Sequence, residues 1–228
     1  MWKRTANGRE FHFYLAGINN QNFLMRDQET GSWWQQVTGR CISGPLEGSM
    51  LELADYDELT FGLWKSEAPD GTVLAPVPGH EKDYDNNWEA EVAKYSVPVS
   101  FPGQGLKDRD VILGVQVKGQ SRAYPFETVL REKLVTDRVS GVPVALLVAG
   151  DGKSVRAFDS RWNGTEIELF RDPHTEGQLL DGLGNTWNFS GCPVSGPATG
   201  QCLQRIEILK DFWFDWRNYN PQTTVYRR

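Results

Sequence analysis

Few residues of this chain have side chains suited to chemistry. There are three His and three Cys among 228 residues. His12 stands between Phe11 and Phe13, so on a strand it points away from both rings and reads as a surface or half-buried residue. His80 falls in a Pro- and Gly-rich stretch, and His174 follows the Asp172-Pro173 turn. No two of them have metal-ligand spacing. Asp83, Asp85, Asn87 and Glu89 alternate like the start of a calcium loop. However, Trp88 stands where such a loop needs Gly, and Lys94 where it needs its closing Glu. Ser43 and Ser195 sit beside glycines without a Gly-x-Ser-x-Gly setting, which assigns them to turns. Cys192 and Cys202 flank Ser195-Gly196-Pro197. If that stretch is a hairpin, their sulfurs can bond, which implies an oxidising compartment; the alternative is two separate buried thiols. Cys41 has no partner, and there is no Cys-x-x-Cys. These residues define no catalytic, cofactor or metal site.

Composition narrows the function classes. The formal net charge is −6, with 39% hydrophobic and 24% charged residues, close to a globular average. An acidic balance argues against nucleic acid, whose phosphates need clustered Lys and Arg. The longest apolar run, Val142 to Ala149, contains Pro143 and falls far short of the roughly 20 residues that span a bilayer. No signal peptide is expected, because Met1-Trp2-Lys3-Arg4 leads into polar residues. The chain is rich in Trp, with nine.

Comparing the chain with itself organises it. Cys41-Ile42-Ser43-Gly44-Pro45-Leu46-Glu47-Gly48 matches Pro193-Val194-Ser195-Gly196-Pro197-Ala198-Thr199-Gly200, an offset of 152. The same offset relates Gly39 to Gly191, Leu51 to Leu203, Trp64 to Trp216 and Pro69 to Pro221. At 154, Asp27 and Trp33 align with Asp181 and Trp187; further upstream, Asn7-Gly8 aligns with Asn163-Gly164. The chain reads as two copies of one unit: 1–75, a linker 76–108, and 109–228. The second copy carries an opening segment that the first lacks, so a missing upstream piece of about 48 residues is expected. The matched Trp33, Trp64, Trp187 and Trp216 are expected in cores. Trp34, Trp88, Trp162 and Trp213 are unmatched and could stack on a sugar or peptide.

The elements that position these residues are short. Asp110–Lys118 alternates at period two, Ser121–Tyr124 is a second strand, and Pro125 opens a helix to about Lys133. Val135–Val139 and Val142–Val148 flank a Ser140-Gly141 turn. Asn7-Gly8 and Asn163-Gly164 predict hairpins with type I′ turns. Each copy ends in a short helix capped by Asp57 or Asp211, stopped by Pro69 or Pro221 and followed by a strand with Val73 or Val225. A short helix is expected around Trp88–Lys94. The fold class is α+β and β-rich, with two tandem, mostly antiparallel units of short strands and hairpins.

Two stretches resemble a known family. Asp27-Gln28-Glu29-Thr30-Gly31-Ser32-Trp33-Trp34-Gln35-Gln36-Val37-Thr38-Gly39, followed by Ser43-Gly44-Pro45-Leu46-Glu47-Gly48, is similar to the signature of the bacterial domain of unknown function 3179 family. Gly114-Val115, Arg122-Ala123-Tyr124-Pro125, Leu130, Asp137, Gly141 and Pro143-Val144 resemble the opening of that domain. The resemblance implies a Cys-Pro-Leu-Cys stretch and a His-Glu pair, which would invite thiol or metal chemistry. Here those positions hold Ala149 and Gly152, and Glu132 and Lys133.

The expected function is therefore a non-catalytic binding or scaffold module of the bacterial cell envelope, with a glycan or protein as ligand. A second reading is the C-terminal portion of a thiol- or metal-dependent enzyme whose site lies before Met1. A third is carbohydrate binding through exposed Trp. Location follows the start: periplasm or envelope with an upstream signal, cytoplasm if Met1 is the start.

Overall fold

The computed structural model describes residues 1–19, 22–101 and 104–228, with the main chain alone for Glu89. Its first part contains the hairpin β1 (Thr5–Ala6) and β2 (Arg9–Glu10), then β3 (Phe13–Asn19), β4 (Asn22–Asp27), β5 (Trp33–Gln35), β6 (Cys41–Ser43) and α1 (Phe61–Glu67). A short α2 (Trp88–Val92) follows. The second part runs β7 (Val111–Val117), β8 (Gln120–Pro125), α3 (Phe126–Glu132), β9 (Leu134–Val139), β10 (Val142–Val148), β11 (Val155–Asp159) and the hairpin β12 (Arg161–Trp162) and β13 (Thr165–Glu166). It continues with β14 (Leu169–Arg171), β15 (Leu179–Asp181), β16 (Thr186–Trp187), β17 (Pro193–Ser195), β18 (Arg205–Ile206), β19 (Ile208–Phe212), α4 (Trp213–Tyr219) and β20 (Thr224–Val225).

Both Asn-Gly hairpins form as expected. Asn7 and Gly8 have φ of 52° and 73°, and Asn163 and Gly164 have 49° and 76°, the two positive values that a type I′ turn requires. β3-β4-β5-β6 and β14-β15-β16-β17 are four-stranded antiparallel meanders. Two further sheets run in the orders β18-β11-β10-β9 and β19-β7-β8-β20; β20 pairs parallel to β8. The fold is thus β-rich and mostly antiparallel, with few helices. Val73 lies outside the strands and is exposed, unlike Val225 in β20, because no strand runs beside it to take its main-chain bonds.

β10 is buried along its whole length and feeds two cores through its alternation. Ala145 and Leu147 join Phe158, Leu179 and Trp187 on one face. Val144, Leu146 and Val148 join Val115, Tyr124 and Val129 on the other. A smaller core gathers Ala6, Phe11, Trp34, Cys41 and Leu51. A fourth sets Trp213 and Trp216 on Ile112 and Ala123. There the Trp216 ring lies flat on Gly114, where a Cβ would sit 2.3 Å from it.

Each meander is locked by an aspartate and an indole. Trp34 Nε1 donates to Asp27 Oδ2 at 2.8 Å, and Trp187 Nε1 to Asp181 Oδ2 at 3.0 Å. Burial opposes ionisation of both carboxylates. Donors outweigh it: Thr30 N–H and Oγ1 on Asp27, and Asn185 and Leu183 on Asp181, hold both pKa values below the ordinary carboxylate value. The Ser43-Gly44-Pro45 and Ser195-Gly196-Pro197 turns close over these locks. Gly44 and Gly196 have φ of 105° and 100°, and a Cβ on either would meet the backbone of Ser32 or Asn185 within 3 Å.

The expectation that Trp33 is the core indole is corrected. Trp34 is fully buried, while Trp33 is half-buried beneath Arg26, 5.4 Å from its ring. The turn from Asp27 to the indole is one residue longer than the turn from Asp181. On a strand, one residue reverses the face. Trp64 is also only half-buried, with its ring against Gly71. Trp213 and Trp34, expected as solvent-facing platforms, are fully buried.

The two halves are tied through α1. Thr60, rather than Asp57, caps this helix, with its Oγ1 accepting from Leu63 N. Asp57 is instead drawn to Arg156, whose guanidinium also meets Glu67 at 2.7 Å. Leu59 and Leu63 pack onto the core around Phe158 and Trp187. Asp211 does not cap α4 either: Phe212 holds the N-cap position, and Asp211 lies in β19. Asp27→Ala or Asp181→Ala strands an indole N–H in a core and is expected to cost about 2–3 kcal/mol in urea unfolding. Trp33→Phe is expected to cost under ~1 kcal/mol. A Trp33→Phe loss as large as that of Asp27→Ala would overturn the assignment of Trp34 as the locking indole.

Candidate functional site

The residues singled out from sequence do not converge. His12 is exposed and pairs with Glu29 at 2.6 Å, and His80 with Asp83 at 2.8 Å. His174 lies in a loop with its N–H on Asp172. Among the described residues no His, Cys, Asp and Glu group has the arrangement of a metal site; the Glu89 side chain of the acidic alternation lies outside them. Ser43 and Ser195 occupy turns at the ends of β6 and β17. The sulfurs of Cys192 and Cys202 stand at bonding distance, 1.95 Å. Cys41 is buried, and desolvation pushes its thiol up, away from reactivity. Trp88 is exposed and Trp162 half-buried, with its Nε1 on Gln201.

Of the four positions singled out by that resemblance, Lys133, Ala149 and Gly152 lie in one corner, while Glu132 accepts from Tyr226 Oη. Val148 N–H bonds to Lys133 O at 2.9 Å, and a Cβ on Gly152 would sit 4.0 Å from Lys133 Nζ. Ala149 stands at the mouth of the same tight loop, where Gly152 N–H bonds to Ala149 O. This corner contains neither thiol nor imidazole. It is covered by the start of α1: Thr60 Oγ1 donates to Asp151 at 2.6 Å, and Thr60 N–H to Ser154 Oγ at 3.0 Å. Burial opposes charge on Asp151, yet donors from Ser154, Thr60 and Lys153 hold its pKa at about 2.

The chemistry that remains lies elsewhere, in a cleft of about 540 Å³ lined by both halves. Asp211 at the end of β19 and Asp215 in the first turn of α4 are four residues apart and face each other. Asp215 is only 8% exposed and accepts from Asn22 Nδ2, across from β4, at 2.5 Å. Burial raises the pKa of both carboxyls, and the negative charge of Asp215 raises that of Asp211 further. Both carboxyls are thereby biased toward their protonated forms, Asp211 the more strongly. Arg109, stacked on Phe212 and Phe214, supplies distant positive charge that favours ionised Asp215. Gln36 and Thr38 line the cleft from the first half; Gln116, Tyr219 and Asn220 line it from the second. Gln116 Nε2 donates to Asn220 Oδ1 at 2.5 Å. Donors and acceptors thus surround a facing carboxyl pair, an arrangement that can grip hydroxyl groups from several sides.

Sequence reasoning missed this pair by treating Asp211 as a helix cap. The available signal was the Asp-x-x-x-Asp spacing between aromatic residues, which puts both carboxyls on one side of a helix start.

Antiparallel meanders locked by Asp–Trp pairs, with a carboxyl cleft between two halves, define a β-rich domain class. The chain belongs to the family described as protein of unknown function (DUF3179), whose model matches residues 1–223. No curated protein and no solved structure matches it.

The raised pKa of Asp211 has a thermodynamic signature. A carboxyl whose folded pKa is raised contributes stability at low pH that is lost as pH rises through that folded value. Asp211→Asn keeps a donor toward Asp215 and removes the titration. Between about pH 4 and 8 the melting temperature of the wild type is expected to fall more steeply than that of Asp211→Asn. Parallel curves would show that the pKa of Asp211 is not raised.

Proposed function

We propose that this chain is a binding module without catalysis of its own, and that its cleft takes a small hydroxyl-bearing ligand such as a glycan. One observation carries the reading: the cleft is lined from both halves by amides, with the carboxyls of Asp211 and Asp215 facing each other in its wall. Hydroxyl groups both donate and accept, so they match a wall of Asn, Gln, Thr and carboxyl groups, whereas an apolar ligand would leave these unpaired. Supporting it, neither the cleft nor the corner at Lys133 and Gly152 holds a thiol or imidazole. Trp2 and Trp216 line the cleft and give its occupancy an optical reporter.

Two finer points belong to the same reading. The halves are copies of one unit: the Asp27–Trp34 and Asp181–Trp187 locks, the two meanders and the two Ser-Gly-Pro turns support this. The proximity of Cys192 and Cys202 supports folding in an oxidising compartment, such as the bacterial cell envelope.

Calorimetric titration and Trp fluorescence with a panel of mono- and oligosaccharides test the function. At least one member is expected to bind saturably, and Asp215→Asn is expected to weaken it about tenfold, the worth of one charge-assisted hydrogen bond. No heat and no fluorescence change across the panel, or unchanged affinity in a folded Asp215→Asn, would overturn the glycan reading.

A further inference from the structure

The sequence holds two Asn-Gly steps, Asn7-Gly8 and Asn163-Gly164, each at the exposed tip of a two-residue hairpin. This dipeptide carries a reaction of its own. The side-chain amide carbon of Asn is an electrophile that the main-chain nitrogen of the next residue reaches by closing a five-membered ring. Glycine presents that nitrogen without a side chain to obstruct it. A Cβ on either glycine would meet nothing within 4 Å, and neither glycine N–H enters a turn or loop hydrogen bond among the described residues. The two backbones are alike in this respect. What differs is the amide.

In the first hairpin Asn7 Nδ2 donates to Ser49 Oγ at 3.2 Å, which ties the amide to the neighbouring loop. At the offset of 152, Ser49 corresponds to Gln201. Gln201 is engaged otherwise: its Oε1 accepts from Trp162 Nε1 at 2.9 Å. The Asn163 amide makes no hydrogen bond to any described residue and is free to turn toward Gly164. The residue before each turn explains the exchange. Ala6 is buried and has no side-chain donor, whereas Trp162 stands in the same place with an indole N–H that takes the loop's acceptor.

We propose that Asn163-Gly164 is a site of spontaneous covalent modification, converting through a cyclic imide to aspartate and isoaspartate, while the Ser49 contact protects Asn7-Gly8. The Gly164 nitrogen attacks Cγ of Asn163. The N–Cγ bond forms as the Cγ–Nδ2 bond breaks, and the proton of the Gly164 N–H leaves with Nδ2 as ammonia. Water then opens the ring. Addition at Cγ, with cleavage of the N–Cγ bond, gives aspartate on an unchanged main chain. Addition at the main-chain carbonyl carbon of Asn163 gives isoaspartate, whose main chain runs through the former side chain and is one methylene longer. Nothing is oxidised or reduced, and water is the only co-reactant. Either product adds a negative charge at the tip. Isoaspartate also lengthens a two-residue turn on whose length the pairing of Trp162 with Thr165 depends.

The test is incubation of the intact chain in mildly alkaline buffer over days, with peptide mapping by mass spectrometry and isoaspartate detected by its enzymatic methylation. Asn163 is expected to convert first, at least about twofold faster than Asn7, the low end of what one hydrogen bond is worth. In urea, where Ser49 no longer meets Asn7, the two rates are expected to converge, because both Asn residues precede Gly. Ser49→Ala is expected to raise the Asn7 rate to near that of Asn163 and to leave Asn163 unchanged. Should Ser49→Ala fail to fold, the comparison of native and urea-treated wild type carries the test alone. An unmodified Asn163, equal rates in the folded chain, a rate gap that persists in urea, or a folded Ser49→Ala with an unchanged Asn7 rate overturns the proposal.

Discussion

The guanidinium of Arg156 holds the molecule together. Its side chain is 5% exposed, yet it carries a full charge, stacked 4.6 Å from the Phe189 ring. A buried cation is tolerable only when paired and hydrogen-bonded. Both of its carboxylate partners, Asp57 and Glu67, come from the other half of the chain, and Ser190 takes a further N–H. Separating the halves would leave that charge buried and alone. Asp57 is shared with Arg205, and these two arginines overcome the burial that would otherwise raise its pKa. The position of α1 follows from this clamp, and with it the cover over Asp151 and the line of residues from Tyr56 to Thr60.

The buried carboxyls sort by the donors each one meets. Asp27 and Asp181 each collect several N–H or O–H groups, from turns that the local sequence builds, and stay charged in spite of burial. Asp211 and Asp215 meet fewer donors and meet each other, so burial raises both pKa values. The first group is structural, because its hydrogen-bonding capacity is spent inside the fold. The second faces a cleft lined by both halves.

Much of the fold was legible because it is local. Asn7-Gly8 and Asn163-Gly164 announce their turns through the φ > 0 that Asn and Gly tolerate. The aliphatic run Val142–Val148 marks the central strand through its composition. Helix caps were less legible. Asp57 and Asp211 look like caps in sequence, but Asp57 is claimed by Arg156, far along the chain, and Asp211 lies in β19 facing Asp215. The choice between Trp33 and Trp34 turned on a single residue in the preceding turn, below what an ungapped register resolves.

By itself, the sequence determined the family, the β-rich class, the hairpin turns and the absence of thiol and imidazole from the family's expected positions. Each of these depends on residue identity or on contacts within a few residues. Only the tertiary structure decided which indole enters the core, that Asp211 and Asp215 share a cleft with Asn22, and that Arg156 draws Asp57 and Glu67 across the two halves. The cleft depends on a pairing 193 positions apart, Asn22 with Asp215, and the choice of indole on the exact length of the turn after Asp27. Burial and hydrogen bonding set such pairings, and no local pattern encodes them.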